Sequence, residues 1–408
     1  MTIPGSEGRW YSVSTLAFIA SVFFFSCSDR GDPAPKPDEG NLVEAFVRST
    51  TTAAQLQFFI QFSGRDIDPA LFKYDVDIYK VVYKTTYRES DINASGLIVL
   101  PKTTASLPMI SYQHGTIVRQ SQAPSVQPTS SEEVTSYAAL ASMGFITVVP
   151  DFIGFGESKD IFHPYFVEEP TASAVVDMLS AAKELAGQHQ IDFNKKLFLA
   201  GYSQGGYATL AAHKAIETDH TGDFELVASF PAAGGYDISA MQEYFFGLET
   251  YADPYYIAYV GMSYQSHYEE DVLTKFFKDP YAGRIPSLFD GIKSTSDINN
   301  QLTNVIADLI QDDILAGAGT DPEFQSLREK FEANSLVDWT PVAPIYMYHG
   351  DADITVPFEN SVSTHNKLIA NGANPEDVQL ITIPGADHGT AVSPYIEDVL
   401  RKLDSLTP

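Results

Sequence analysis

The stretch Gly201-Tyr-Ser-Gln-Gly-Gly206 carries the strongest chemical signal in this sequence. An apolar run, Leu197-Phe-Leu-Ala200, precedes it, and Ala208, Ala211, Ala215 and Ile216 follow at helical spacing. A G-x-S-x-G stretch between a strand and a helix makes a turn so tight that the serine backbone is strained and its hydroxyl stands above the sheet. Glycines on both sides keep that turn clear of the neighbouring strand and helix. Ser203 is the candidate nucleophile.

A serine hydroxyl is weakly nucleophilic near neutral pH, so a base must take its proton during attack. Of nine histidines, His388 stands out in Ile383-Pro-Gly-Ala-Asp-His-Gly-Thr390, a loop after the last predicted strand from which a side chain reaches over the sheet's C-terminal edge. An imidazole titrates near neutrality, which suits reversible proton transfer. It also needs an anion to hold its tautomer and stabilise its charged form. Tyr348-His-Gly-Asp-Ala-Asp-Ile-Thr-Val-Pro357 offers Asp351 and Asp353. Asp353 is the preferred partner, and Asp351 reads as a loop or surface carboxylate. Attack on a carbonyl creates an oxyanion that requires preorganised donors. The backbone N–H groups of Thr116, in Ser111-Tyr-Gln-His-Gly-Thr116, and of Gln204 are assigned that task; His114 reads as a packed turn residue.

These loops need a scaffold. Phe72–Tyr83 and Ala94–Leu100 read as antiparallel edge strands. Six further strands follow: Met109–Tyr112, Phe145–Val149, Leu197–Ala200, Leu226–Phe230, Ile345–Tyr348 and Val378–Ile383. Helical patterns alternate with them, as in Val175, Leu179, Ala182 and Leu185. This rhythm predicts an α/β fold with a mostly parallel twisted sheet and helices on both faces. The alternation breaks between about Tyr236 and Leu336, where Ile298, Leu302, Val305, Ile306 and Leu309 predict one helical face. That stretch reads as a helical cap inserted between the sixth and seventh strands. The expected layout is a signal peptide at 1–26, a flexible tether at 27–41, core at 42–236, cap at 237–336 and core again at 337–408.

The chain has 408 residues and a formal net charge of -28. That charge excludes a phosphate-neutralising surface, so nucleic acid is not an expected partner. It weighs equally against a strongly anionic substrate. No Cys/His cluster calls for a metal, and no cofactor is expected. The single cysteine, Cys27, follows an apolar run from Thr15 to Phe25 that is too short for a normal membrane span. With Arg9 before it and the polar, proline-rich Ser28–Asp38 after it, the segment resembles a bacterial lipoprotein signal. The resemblance implies an exported protein anchored to a membrane through lipid on Cys27. An ordinary secretory signal accommodates the same residues.

His114-Gly115-Thr116, Asp151-Phe-Ile-Gly-Phe-Gly-Glu-Ser158, the Ser203 stretch, His349-Gly-Asp-Ala-Asp353 and Asp387-His388 together resemble the α/β-hydrolase superfamily over nearly all the chain after the tether. The chain order serine, aspartate, histidine is the one that fold uses. His163-Pro-Tyr-Phe166, followed by the helix through Asp177 and the Ser203 turn, is similar to the secretory lipase group. That resemblance implies hydrolysis of a neutral ester or lipid through an acyl-enzyme, with the cap shaping the groove. Two rivals stay open. One is a peptidase of the same fold, although the roughly 70 residues before the first parallel strand are too few for a multi-bladed propeller. The other is a non-catalytic binding module, against which every position of the triad is filled.

Overall fold

The computed structural model describes residues 40–317 and 324–407. Cys27, the expected signal and all of the expected tether before Gly40 lie outside the described residues. Asn41, where the sequence pattern ends the tether, is already fixed: its N–H donates to Glu184 Oε1 at 2.6 Å and its amide to Asp177 Oδ1 at 3.2 Å.

Among the described residues, nine strands form one sheet. They are β1 (Leu42–Thr51), β2 (Val76–Tyr87), β3 (Ser90–Pro101), β4 (Ser106–Gln113), β5 (Ile146–Pro150), β6 (Asp192–Tyr202), β7 (Glu225–Ala232), β8 (Ile345–Gly350) and β9 (Val378–Ile383). Their spatial order is β1-β2-β3-β5-β4-β6-β7-β8-β9. The pairs from β1 to β5 are antiparallel and those from β5 through β4 to β9 parallel. Central strands have both faces covered, so β5 is buried at every residue. The edge strand β1 is missing from the sequence expectation. Its residues, which include Glu44 and Arg48, are nowhere fully buried, so no apolar run announces it.

Helices cover both faces, as the alternation predicts. α1 (Ala53–Phe62), α2 (Glu132–Ser142) and the C-terminal Val392–Leu406 helix pack on one side, where Leu56, Tyr137 and Tyr395 share a core with Phe198 and Phe230. On the other side lie α3 (Glu168–Gln188) and α4 (Gln204–Asp219), where Leu179 and Ala208 meet Val148 and Leu199. The strand order reverses around β4, which carries β5 on one flank and β6 on the other. A crevice opens at the carboxyl ends of strands at such a reversal. Gln113 of β4 pairs with Gly201 of β6, so the loops leaving both strands start side by side.

Between β7 and β8 the chain folds into α5 (Ile238–Phe246), α6 (Tyr255–Tyr268), α7 (Leu273–Phe276), α8 (Tyr281–Leu288), α9 (Thr295–Asn299), α10 (Ile306–Leu309), α11 (Asp312–Gly317) and α12 (Gln325–Ala333). Counting β1, the insertion follows the seventh strand, not the sixth. The single helical face expected from Ile298 to Leu309 is instead split between α9 and α10. Backbone pairing across the insertion causes the break: Tyr251 N–H donates to Asn304 O at 2.8 Å and Ile306 N–H to Glu249 O at 3.1 Å. Ile298, Ile306 and Leu309 are still buried. The insertion's core is continuous with the sheet layer, since Tyr207 and Leu210 of α4 share one apolar cluster with Ala258 and Tyr264 of α6. After β8 come α13 (Phe358–Ala370) and α14 (Val392–Leu406).

Candidate active site

Ser203 sits between β6 and α4 with φ 60° and ψ −122°, a region that non-glycine residues rarely enter. Its own N–H donates to Ala232 O at 2.8 Å. The flanking glycines have a steric reason: a Cβ at Gly201 would strike the Gly205 carbonyl, one at Gly205 the Gln113 carbonyl, and one at Gly206 the Ala232 carbonyl. The turn is braced from below by Tyr395 of α14, a residue the sequence reading missed. Its buried hydroxyl accepts the Gly201 N–H at 2.9 Å and donates to Phe230 O at 2.8 Å.

His388 lies between β9 and α14, with Nε2 3.0 Å from Ser203 Oγ and Nδ1 2.6 Å from Asp353 Oδ2. The carboxylate accepts, so Nδ1 carries the proton and Nε2 is free to take the serine's. Asp387 shapes this turn by accepting the N–H groups of Gly389 and Thr390 at 3.0 and 2.8 Å. The Tyr202 hydroxyl donates to His388 O at 2.8 Å.

Asp353, on the loop after β8, is fully engaged. Oδ1 accepts the N–H groups of Thr355 and Val356 at 2.9 and 3.0 Å. Oδ2 accepts from His388 and also from His349 Nε2 at 3.1 Å. Burial pushes the Asp353 carboxyl up, but the hydrogen bonds and charges of His349 and His388 outweigh it and bring it down to about 2. The rival Asp351 is exposed and turned elsewhere, its Oδ1 accepting the Gly385 N–H at 2.6 Å.

The loop after β4 abuts Ser203: a Cβ on Gly115 would lie 3.7 Å from Ser203 Cβ. No acceptor within the described residues takes the Thr116 N–H. Gln204 opens α4, so its N–H has no intrahelical acceptor. The Thr116 hydroxyl and Tyr165 hydroxyl lie 2.8 Å apart, tying this loop to the cavity wall. His114 is buried, with ring nitrogens 2.7 Å from Gly115 O and 3.2 Å from Asp151 O; burial holds its pKa below the ordinary value despite those carbonyls.

His163 is deeply buried and grips Gln204. Its Nδ1 donates to Ile153 O at 2.6 Å, and its Nε2 accepts the Gln204 amide at 2.6 Å. Burial lowers its pKa to about 3, which keeps the ring neutral. Nothing in the spacing of His163 and Gln204 announces that contact, because 41 residues separate them.

A cavity opens at Ser203 and runs into the inserted helices, walled by Phe245 and Phe246 of α5, Ile257 and Tyr264 of α6, and Phe331 of α12. No charged side chain among the described residues lines it. Of the insertion's other aromatics, Tyr251 and Tyr256 also line it, whereas Tyr259 packs flat against Tyr165 with ring centroids 4.4 Å apart. A hydroxyl backed by an imidazole and a buried carboxylate, beside two unpaired N–H groups and an apolar slot, has what acyl transfer needs.

A family model described as secretory lipase matches residues 119–382. The chain belongs to the secretory lipase family. Solved structures similar to this family member include a putative hydrolase from Legionella pneumophila, with 25% identity, a TM-score of 0.80 and coverage of 90% of this chain and 98% of that one. A ligand-bound rice cell wall degrading esterase, LipA from Xanthomonas oryzae, is similar at 23% identity and TM-score 0.79, over 91% of this chain and all of that one. Candida antarctica lipase A in its closed state has 16% identity and TM-score 0.64, over 90% of this chain and 83% of that one. These last two likenesses establish the α/β-hydrolase fold. Comparison with curated proteins gives no match.

Proposed function

We propose that this member of the secretory lipase family hydrolyses uncharged carboxylic esters through an acyl-enzyme on Ser203. The observation that carries the reading is the contact of Ser203 Oγ with His388 Nε2 at 3.0 Å, at the mouth of an apolar cavity that no charged side chain among the described residues lines. Ser203 Oγ attacks the carbonyl carbon while His388 takes its proton. The oxyanion is held by the N–H groups of Thr116 and Gln204. His388 then passes its proton to the departing alcohol, and water repeats the sequence in reverse to free the acid. Asp353 stays ionised throughout and keeps the Nδ1–H of His388 pointed away from the serine. The insertion at 237–336 acts as a cap whose cavity takes the acyl part.

The family supports export. The finer reading is that Cys27 carries a lipid anchor; Cys27→Ser would then move the protein from the membrane fraction to the soluble fraction, and an unchanged distribution would refute the anchor. For the chemistry, the test is turnover of p-nitrophenyl esters of graded acyl length beside aminoacyl p-nitroanilides, on protein starting near Gly40. Ester turnover with little anilide cleavage is expected. Preference for the anilides would favour a peptidase, and failure to react with a fluorophosphonate at Ser203 a binding module.

A further inference from the structure

Asp353 Oδ2 receives two imidazoles, and only one of them, His388, faces the nucleophile. The other, His349, is the fifth residue of β8 and is fully buried. Its Nε2 is 3.1 Å from Asp353 Oδ2 and 3.0 Å from Val356 O, both acceptors, so Nε2 carries the hydrogen. Its Nδ1 then accepts the Ser361 hydroxyl at 2.7 Å. Asp353 and the Val356 carbonyl thus fix the tautomer of His349, and the Ser361 hydroxyl, on α13, fills its other nitrogen. Two Ser–His arms meet on one carboxylate oxygen, one aimed at the cavity and one sealed inside.

We infer that His349 is a positioning residue that sets both the orientation and the basicity of Asp353 for the reaction proposed above. With Thr355 and Val356 on Oδ1 and two rings on Oδ2, the carboxylate has four donors and no free rotation. The hydrogen from His349 also draws charge from the oxygen that His388 uses. Without it, Oδ2 holds the protonated His388 more strongly, and His388 gives up its proton at higher pH. Other titratable groups face the pair: Asp387 beside His388, Tyr202 under its ring, Glu359 at the start of α13, and Tyr244, Tyr251 and Tyr256 from the insertion. None of them donates a hydrogen bond to Asp353. His349 does.

The test is the pH profile of kcat/KM on whichever p-nitrophenyl ester the wild type cleaves. In His349→Phe, which keeps ring volume against Phe358 but removes the donor, the acid limb moves up by about half a pH unit or more. Its kcat falls about ten- to a hundredfold with KM nearly unchanged, from loss of orientation. His349→Gln, whose amide nitrogen reaches the Nε2 position, restores the limb to its wild-type place. An acid limb unmoved in His349→Phe, or moved as far in His349→Gln, overturns the inference. Should His349→Phe not fold, His349→Leu takes its place: it also removes the donor to Asp353 and moves the limb in the same direction, and an unmoved limb there also overturns it. Wild-type protein without ester turnover would instead refute the proposed function.

Discussion

Ser203, His388 and Asp353 share their chemical groups, a hydroxyl, an imidazole and a carboxylate, with a second set elsewhere in the molecule. Ser229 of β7 has its Oγ 2.7 Å from His213 Nδ1, and His213 Nε2 lies 3.2 Å from Glu217 Oε1. The ring is turned end for end relative to His388, and its approach to Glu217 is off line for a hydrogen bond. Glu217 is taken up by the N–H groups of Val342 and Ala343, at 3.0 and 2.6 Å. Ser229 sits in regular strand, its N–H on Pro344 O at 2.9 Å, and both Ser229 and His213 are wholly buried. Neither lines a described cavity. The Ser203 set has the same groups plus a strained turn, unpaired N–H groups beside it and room for a substrate. Serine, histidine and carboxylate in a row make a clasp; the surroundings make a reactive site.

That contrast can be broken by mutation, and the largest effect belongs to the proposed nucleophile. Ser203→Ala is expected to lower kcat for ester cleavage by about 10⁶; a variant within tenfold of wild type would erase the distinction between the two sets. Asp353→Asn, which invites the wrong tautomer of His388, should cost about 10⁴ in kcat, whereas Glu217→Gln should leave steady-state kinetics as they are. Removing a backbone donor comes next. Thr116→Pro is expected to lower kcat by about 10²–10³, while Thr116→Val keeps the N–H and loses far less, a difference that equal kinetics for the two would refute.

The acid stability of the fold follows from the buried histidines. His163 has its pKa lowered to about 3, so below about 6.5 the unfolded chain binds a proton that the folded one refuses. Stability is therefore fully present above about 6.5 and declines as pH falls towards 3. His163 contributes at most about 1.4 kcal/mol per pH unit. Denaturant titrations of His163→Gln across that window should show a shallower slope than wild type. Asp353 adds a loss at lower pH: its depressed carboxyl contributes stability above about 4, lost as pH falls through about 2. The smallest effect belongs to the sealed set: Ser229→Ala should reduce unfolding free energy by about 1 kcal/mol and leave ester turnover unchanged.

Much of the frame is legible in the residues because each signal is local. Strand, glycine-flanked serine and helix are contiguous around Ser203, and Val378–Ile383 is read to its ends. What escapes is non-local or carries no pattern. Strand β1 alternates too weakly because an edge buries little. The Ile298–Leu309 periodicity is real, but pairing with residues 249–251 outweighs helical propensity and cuts the segment in two. The bracing by Tyr395 spans 194 residues and that by His163 spans 41. His349 stands four residues before Asp353 and was in plain view, yet a motif shows which residues recur in a loop and not which atoms share an oxygen.

The apolar cluster that joins α4 to α6 bears on how such an enzyme can be rebuilt. Exchanging residues 237–336 for the corresponding stretch of a relative would strip Tyr207 and Leu210 of their partners, on the very helix whose first turn follows Ser203. Selectivity here is best altered one wall residue at a time, since the roof and the beam beneath it were laid as one piece.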